Sequence, residues 1–329
     1  MTTLLIILIA LALGFDFLNG IHDSSNIVAT MISSRAFSPR VALTVTAVAE
    51  FSGPLIFGVA VANTIGNEIA VASAINITVL LAAIAAAILW NLLTWYLGLP
   101  SSSSHALIGG FIGAVVIGAG WDKIMLGGLE KVLIALFASP LIGFAFGFAI
   151  NKLIRFLFSQ STPKVSWLFK RGQIVTAVAL ALSHGTNDAQ KTMGIITLAL
   201  VTGGYLTEFK VPLWVILSSA SMIALGTTLG GWRLIRTLGA KFYKIRPLDG
   251  FNAQLASAVV ILGSSILGGP VSTTQVVSTS IMGVGAAHRF SKVRWGVAVD
   301  IAVAWLLTIP VSGLVAAGIY WVLSRVIPG

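Results

Sequence analysis

The sequence predicts an all-α polytopic membrane protein built from two related halves. Of its 329 residues, 57% are hydrophobic and only 9% are charged, whereas soluble domains carry about 25% charged residues. Several apolar runs reach the roughly 20 residues that a membrane-spanning helix needs, and they lack the alternation of barrel strands. Because only helices and closed barrels satisfy the backbone in lipid, these runs predict helices. They cover residues 3–21, 41–62, 76–98, 103–119, 132–151, 173–202, 211–232, 252–268, 273–287 and 296–324.

Basic residues concentrate in loops on one side of the predicted bundle. With the N-terminus outside, the loops 35–40, 152–172, 233–250 and 288–295 fall inside and hold most of the lysine and arginine residues. Such an excess is typical of cytoplasmic loops. The sequence therefore predicts a multi-pass protein of the inner (plasma) membrane, embedded in the lipid bilayer with both termini outside. The net charge of +10 is loop charge and does not indicate a nucleic-acid partner.

Three sequence matches indicate an internal duplication, because they follow in the same order at nearly the same offset. The clearest match pairs two short segments in which a proline precedes a run of hydroxyl residues. The three matched pairs are 97–104 with 267–274, 139–143 with 309–313, and 20–23 with 185–188.

The halves are predicted to be inverted-topology repeats, residues 1–160 and 161–329. In the topology above, the first repeat begins outside and the second begins inside. Inverted repeats with interrupted helices are typical of secondary transporters. Each repeat is expected to contain a broken helix and a re-entrant hairpin. The breaks are predicted at Asp23 and Asp188, and the hairpin turns at Pro100–Ser104 and Pro270–Thr274.

Each hairpin turn is a candidate anion site. Hydroxyl residues follow a proline at the first turn of the next helix, where backbone N–H groups are free and the helix dipole is positive. Together with the hydroxyls, these groups suit a tetrahedral oxyanion. The alternative is that the hydroxyls only cap the helices. The candidate residues are Ser102, Ser103, Ser104, Ser272, Thr273 and Thr274.

The segments around Asp23 and Asp188 interrupt apolar sequence with glycine, asparagine and aspartate residues. An Asp at the centre of a membrane helix costs about 2.5–3.5 kcal/mol, so each marks a candidate site. Carboxylates do not favour an anion by themselves, so a cation or proton must join them, which predicts symport. Lys191 lies on the same helix face as Asp188, three positions later. It could form an ion pair with Asp188, contact the anion directly, or supply a charge that substitutes for a cation. His22 is a candidate proton carrier or a hydrogen-bonded structural residue.

Other polar residues in the apolar runs have less specific interpretations. We expect His105 and His184 to be structural, and Glu50 to belong to a buried polar cluster or to act as a relay. No arrangement among these residues resembles a catalytic motif, so the sequence does not favour a membrane enzyme. The intramembrane carboxylates also disfavour a passive anion channel.

These motifs resemble the inorganic phosphate transporter (PiT) family. Its paired G-x-N-D-x-x-N signatures read GIHDSSN at 20–26 and GTNDAQK at 185–191. The two hairpin turns, Pro100–Ser104 and Pro270–Thr274, also match, and we call them the hydroxyl turns. The resemblance implies symport of phosphate with sodium or protons by alternating access, usually in a homodimer and without a further cofactor. It places phosphate at the hydroxyl turns beside the two Asp residues. The coupling-ion residues that it implies are His22, Asp23, Asn26, Asn187 and Asp188.

Three residues depart from the family pattern. His22 and Lys191 stand where the sodium-coupled pattern has Asn, and Gln275 replaces the His that commonly follows the second turn. His22 and Lys191 resemble the bacterial proton-coupled low-affinity branch, which also carries neutral metal–phosphate complexes. We therefore expect proton-coupled phosphate import, with sodium coupling or sulfate as alternatives. The only metals expected are sodium or a co-transported divalent cation.

Overall fold

The fold of this computed structural model is all-helical, as the sequence predicts. The structure describes residues 2–160, 165–237 and 243–327. Parts of the two longer basic loops, 161–164 and 238–242, lie outside the described residues. The α-helices of the described chain are α1 (Thr2–Ser33), α2 (Pro39–Phe57), α3 (Ala60–Asn67), α4 (Ile77–Leu97), α5 (Ser103–Ala119), α6 (Leu126–Leu157), α7 (Val165–Thr202), α8 (Leu213–Leu229), α9 (Trp232–Arg236), α10 (Pro247–Ile266), α11 (Thr273–His288) and α12 (Trp295–Val326).

Six helices of the described chain are long and apolar enough to cross a membrane, namely α1, α2, α4, α6, α7 and α12. Two further apolar helices, α5 and α8, have 17 residues each. At 1.5 Å per residue, a helix of about 20 residues matches the roughly 30 Å hydrocarbon layer. The chain is therefore a multi-pass membrane protein.

Neither Asp-bearing helix is interrupted. The backbone is α-helical through Asp23 in α1 and through Asp188 in α7, so the predicted breaks at these residues are wrong. The glycines of these motifs serve close helix packing instead. A Cβ atom on Gly20 would lie 2.1 Å from a carbonyl oxygen of α8, and one on Gly185 would lie 2.1 Å from a carbonyl oxygen of α2. Small residues allow backbones to approach this closely in membrane bundles.

The helix interruptions lie on the neighbours of the Asp-bearing helices. The predicted 41–62 run is divided between α2 and α3 at Gly58, which has φ +83°. In the 211–232 run, α8 ends at Leu229, Gly230 has φ +72°, and the short α9 begins at Trp232. A positive φ of this kind favours glycine, since it has no Cβ. Each half therefore contains one divided helix, at a different place from the one the sequence predicted.

Side chains of α7 and α1 satisfy the backbone groups that these interruptions free. Gln190 of α7 donates from Nε2 to the carbonyl oxygen of Gly58 at 2.6 Å. Its Oε1 accepts from two N–H groups in the first turn of α3, at 2.7 and 3.2 Å. In the second half, Ser24 of α1 accepts from the N–H of Gly231 at 2.8 Å. The polar residues next to each Asp therefore stabilise a divided helix of the other half.

The two halves pack through matching helix pairs. Helix α1 packs against α8, and α7 packs against α2. In the same way α5 packs against α12, and α11 packs against α6. Each of these pairs joins a helix of residues 1–160 to a helix of residues 161–329. A large part of the buried surface therefore lies between the halves.

Each hairpin, α4–α5 and α10–α11, starts and finishes at the same end of the bundle. Segments 69–71 and 123–125, which flank the first hairpin, are joined by backbone hydrogen bonds of 2.9 and 3.0 Å. In the second hairpin, Asp249 near the start of α10 lies 2.6 Å from Nε2 of His288 at the end of α11. The turns between the helices of each hairpin enter the interior of the protein.

Candidate functional site

The structure brings the predicted site residues of both halves together in the protein interior. They come from α1, α7 and the N-termini of α5 and α11, and each is at most 3% exposed. The set consists of His22, Asp23, Asn26, Ser102, Ser103, Ser104, Asn187, Asp188, Lys191, Ser272, Thr273 and Thr274.

Asp23 contacts the hydroxyl turns of both halves. Ser103 donates from Oγ to Oδ2 of Asp23 at 3.3 Å, and Thr274 donates from Oγ1 to Oδ1 at 2.9 Å. Asn26 donates from Nδ2 to the same Oδ1 at 3.0 Å and also to Thr274 Oγ1 at 3.1 Å. The Nδ1 atom of His22 lies 3.0 Å from Oδ1. These partners are hydroxyls, an amide and an imidazole, so none of them carries a permanent positive charge.

Asp188 is paired with a lysine. Thr273 donates from Oγ1 to Oδ2 of Asp188 at 2.8 Å, and Lys191 donates from Nζ to Oδ1. Lys191 also donates to Ser104 Oγ at 2.5 Å and to the carbonyl oxygen of Val271 at 3.2 Å. The intramembrane ion pair considered from the sequence is present. The same ammonium group reaches the hydroxyl turn of the first half.

Ser102 and Ser272 cap the helices that follow them. Ser102 Oγ accepts from the N–H of His105 at 3.1 Å, and Ser272 Oγ accepts from the N–H of Gln275 at 3.3 Å. Capping therefore occupies these two hydroxyls, whereas the other four contact the Asp carboxylates or the ammonium group of Lys191. The caps hold the first turns of α5 and α11, where backbone N–H groups have no partner within the helix.

His184 is a site residue that sequence reasoning missed. Its Nε2 atom lies 2.9 Å from Oδ2 of Asp188 and 3.9 Å from Oδ2 of Asp23. Its Nδ1 atom lies 2.8 Å from Oε1 of Glu50. The imidazole thus lies among three buried carboxylates from α1, α2 and α7. One signal was available in the sequence, since His184 precedes Asp188 by one helical turn within an apolar run.

A cluster of three residues has the geometry to hold a cation. Asp23, His184 and Asp188 each present a ligand atom, and these atoms all lie within 4.8 Å of one another. Carboxylate oxygens suit hard cations. The Oδ1 atom of Asn26 is buried and has no hydrogen-bond partner within the described ranges, so a further oxygen is free nearby.

Asn187 lies at the edge of the site. It donates from Nδ2 to Ser265 Oγ at 2.8 Å and to the carbonyl oxygen of Gly269 at 3.4 Å. These contacts hold it against α10 and the chain that follows this helix. Among the predicted coupling-ion residues, Asn26 is therefore the one that directly joins an Asp to a hydroxyl turn.

Hydroxyl donors, carboxylates and a buried ammonium group inside a bundle of membrane-crossing helices define a membrane transporter for ions. The chain belongs to the phosphate transporter family, whose family model matches residues 19–316. The PiT resemblance read from the motifs is confirmed, and the protein is a phosphate transporter, not an enzyme.

Two bacterial relatives match nearly the whole chain. A Bacillus subtilis (strain 168) protein described as "Probable low-affinity inorganic phosphate transporter" is 44% identical over 327 residues, which cover 98% of each chain. A Rhizobium meliloti (strain 1021) protein with the same description is 45% identical over 320 residues, covering 97% of this chain and 96% of the relative.

A solved structure has the same fold. It is described as "The sodium-dependent phosphate transporter" and is 25% identical in sequence. The two structures superpose with a TM-score of 0.92, covering 99% of this chain and 100% of the other.

Proposed function

We propose that the protein imports phosphate by proton-coupled symport, with phosphate held between the two hydroxyl turns. The observation that carries this proposal is the direct contact of Asp23 and Asp188 with hydroxyls at the N-termini of α5 and α11. The hydroxyl groups that can donate hydrogen bonds to an anion and the two carboxylates therefore lie in one buried site. Because an unpaired charge is costly in such a site, the anion enters together with a proton or cation that compensates the carboxylates.

The phosphate-binding groups are the hydroxyls of Ser103, Ser104, Thr273 and Thr274, the N–H groups of the same turns, and Lys191. Helix N-termini favour anions through their free N–H groups and the helix dipole. Ser102 and Ser272 contribute as caps, because they hold these turns in place. In this structure the carboxylates accept from the hydroxyls of Ser103, Thr273 and Thr274, and Ser104 donates to a backbone carbonyl oxygen. Phosphate displaces these hydrogen bonds when it binds.

We assign the coupling proton to Asp23, which has His22, Asn26 and His184 around it. This carboxylate has no permanently charged partner among the described residues that contact it. The ring nitrogens of His22 and His184 lie 3.0 and 3.9 Å from oxygens of Asp23, so these imidazoles are the groups positioned to pass a proton to the carboxylate. In the second half, Asp188 and Asn187 are the residues that we assign to coupling.

Transport proceeds by alternating access between two inverted repeats, residues 1–160 and 161–329. The matching helix pairs and the divided helix in each half support this division. The site lies between the halves and is fully buried, so the hairpins must move to open it to either side. We place the protein in the inner membrane as a homodimer, with both termini outside.

Sodium coupling is the second candidate. The solved structure with this fold is described as sodium-dependent, and Asp23, His184 and Asp188 have the geometry to hold a cation. The same cluster also suits a divalent cation that travels with phosphate as a neutral complex. These candidates differ in the ion that drives uptake, so they are separable by experiment.

The test is uptake of labelled phosphate by purified protein in liposomes. An inward proton gradient at equal sodium is expected to drive accumulation, and an inward sodium gradient at equal pH is expected to have no effect. Uptake that follows sodium alone contradicts proton coupling. Loss of uptake after removal of divalent cations identifies a metal–phosphate substrate, and uptake of labelled sulfate without phosphate contradicts phosphate as the substrate.

A further inference from the structure

We propose that Lys191 is a tethered cation that determines ion specificity. Its ammonium group fills one of two equivalent cation positions, and Asp23 is left as the position for a mobile coupling ion. This inference rests on the proposed symport function and names the residue that sets which ions the site accepts.

The equivalence of the two positions follows from the contacts of Asn26 and Lys191. Both residues occupy the last position of the repeated motif, at 20–26 and 185–191. Asn26 joins Asp23 of its own half to Thr274 of the other half, at 3.0 and 3.1 Å. Lys191 joins the Asp of its own half to Ser104 of the other half. An amide in one half and an ammonium group in the other therefore bridge the same kinds of partner.

The partners of the Lys191 ammonium group are those of a hard cation. It contacts a carboxylate oxygen of Asp188, the hydroxyl oxygen of Ser104 and the carbonyl oxygen of Val271. Carboxylate, hydroxyl and carbonyl oxygens are the ligands that such ions take in proteins. Lys191 is 1% exposed, so its ammonium group is shielded from bulk water. A free sodium ion cannot occupy this position while the ammonium group is there.

The charge balance of the two halves differs as a result. Asp188 is always accompanied by the covalently attached charge of Lys191. Asp23 contacts Asn26, Ser103, Thr274 and His22, with His184 at 3.9 Å. None of these carries a permanent charge, so Asp23 is the carboxylate that requires a mobile proton or cation.

The experiment is sodium binding to purified Lys191→Asn protein in detergent. Asn removes the charge and supplies an amide oxygen, as Asn26 does in the other half. Sodium is exchanged for choline at constant ionic strength and the melting temperature is measured, because an ion that binds only the folded state raises it. We expect sodium to stabilise Lys191→Asn more than it stabilises the wild type. Lys131→Asn, which removes a lysine from the surface pair with Glu68, is the matched control and should respond as the wild type does.

If sodium raises the melting temperatures of the wild type and of Lys191→Asn equally, the proposal is overturned. Lys191→Gln, which keeps more of the side-chain length, provides a second variant with the same expectation. Variants that fold only with sodium present also support the proposal. Variants that fail to fold with and without sodium contradict it, because a free cation then cannot replace the ammonium group.

The sodium-binding measurement does not depend on transport. A wild-type protein driven by sodium would overturn proton coupling, yet the difference between wild type and Lys191→Asn would still decide the role of Lys191. In liposomes, the same variant should acquire phosphate uptake that increases with an inward sodium gradient at equal pH.

Discussion

His184 lies among three carboxylates, so one imidazole lies close to acidic side chains from three helices. Glu50, which is fully buried, lies 2.8 Å from its Nδ1 atom. Asp188 lies 2.9 Å from its Nε2 atom. Leaving a buried polar group without its partner costs about 1–3 kcal/mol. The Glu50–His184 pair should therefore matter to transport although neither residue belongs to a hydroxyl turn.

Replacing Glu50 with Gln should lower phosphate uptake by at least about tenfold, which corresponds to about 1.4 kcal/mol. The physical reason is that His184 loses the carboxylate beside its Nδ1 atom. Uptake in liposomes at equal amounts of protein measures the effect. Glu68→Gln is the matched control, since Glu68 forms a surface pair with Lys131 at 2.9 Å and such pairs contribute only about 0–1 kcal/mol. Equal uptake by the two variants would contradict a role for Glu50.

Sequence reasoning could find Asp23, Asp188 and Lys191 because an ionisable residue in an apolar run is costly and needs a reason to be there. It could not find the Glu50–His184 contact. These two residues lie on helices far apart in the chain, and the motif patterns gave no sign that α2 and α7 touch at this point. A contact between distant helices depends on the tertiary packing.

Helix packing in this protein relies on glycines at backbone crossings. A Cβ atom on Gly226 of α8 would lie 2.0 Å from the carbonyl oxygen of Phe17 in α1. A Cβ atom on Gly53 of α2 would lie 2.3 Å from the carbonyl oxygen of Leu182 in α7. The pairs α1–α8 and α2–α7 therefore cross at matched small residues, and these crossings position both Asp-bearing helices.

Gly226→Ala should destabilise the protein by about 1–3 kcal/mol, as expected when a methyl group enters a closely packed site. The control is Gly263→Ala in α10, where no atom of the described residues lies within 4 Å of an added Cβ. In that helix interior the change should be neutral or stabilising by up to about 1 kcal/mol. Thermal unfolding in detergent compares the two. A normal melting temperature for Gly226→Ala would show that the α1–α8 crossing tolerates separation.

Asp249 closes the second hairpin at its ends and gives a pH-dependent contribution to stability. Burial alone would raise the pKa of Asp249, but the hydrogen bond with His288 and the charges of His288 and Lys292 outweigh burial. The pKa of this carboxyl is therefore held below its ordinary value. A carboxyl with a lowered pKa in the folded state stabilises the protein above the unfolded-state pKa of about 4. That stabilisation is lost as the pH falls through the folded-state value.

Asp249→Asn should lower the melting temperature at pH 7, because His288 and Lys292 lose their carboxylate and the hydrogen bond that Asp249 accepts from the N–H of Arg246 loses its charged acceptor. The difference between wild type and variant should shrink as the pH is lowered towards the folded-state pKa. A difference that stays constant with pH would contradict this account.

The prediction of broken helices at Asp23 and Asp188 failed for an identifiable reason. Glycine and asparagine within an apolar run were interpreted as helix breakers, but in α1 and α7 the glycines face a neighbouring backbone. The real interruptions, at Gly58 and Gly230, carry no charged residue and lie within or at the end of apolar runs. Their signal was one glycine at 58 and a pair at 230–231, which the sequence does not distinguish from packing glycines.

At the scale of the whole molecule, charge placement predicted which loops share a side. In the structure, Lys131 and Glu68, from segments placed outside, form an ion pair at 2.9 Å. Asp249 and His288, from segments placed inside, lie 2.6 Å apart. Loop charges could predict this grouping because basic residues concentrate on the cytoplasmic side of the bilayer, whichever way the helices pack. The pairing of α1 with α8 and of α7 with α2 had no such signal in the sequence.

The predicted orientation is testable with single cysteines, because the chain has none of its own. Glu208→Cys, in the exposed segment between α7 and α8, should react with a membrane-impermeant thiol reagent added to intact cells. Ser159→Cys and Ser291→Cys, both at exposed positions on the opposite side, should react only after the membrane is permeabilised. The reverse pattern would contradict the assignment of both termini to the outside.

The central claim is that Asp23 and Asp188, where they meet the hydroxyl turns, couple phosphate to the driving ion. The most direct measurement is gradient-driven uptake of labelled phosphate by Asp23→Asn and Asp188→Asn in liposomes. Each variant should be produced in near-normal amounts but show no gradient-driven accumulation. An amide at position 23 cannot gain and lose the proton, and an amide at position 188 leaves the Lys191 charge without its carboxylate and so disturbs the charge balance of the site. Normal accumulation by both variants would contradict the account and place the coupling site elsewhere.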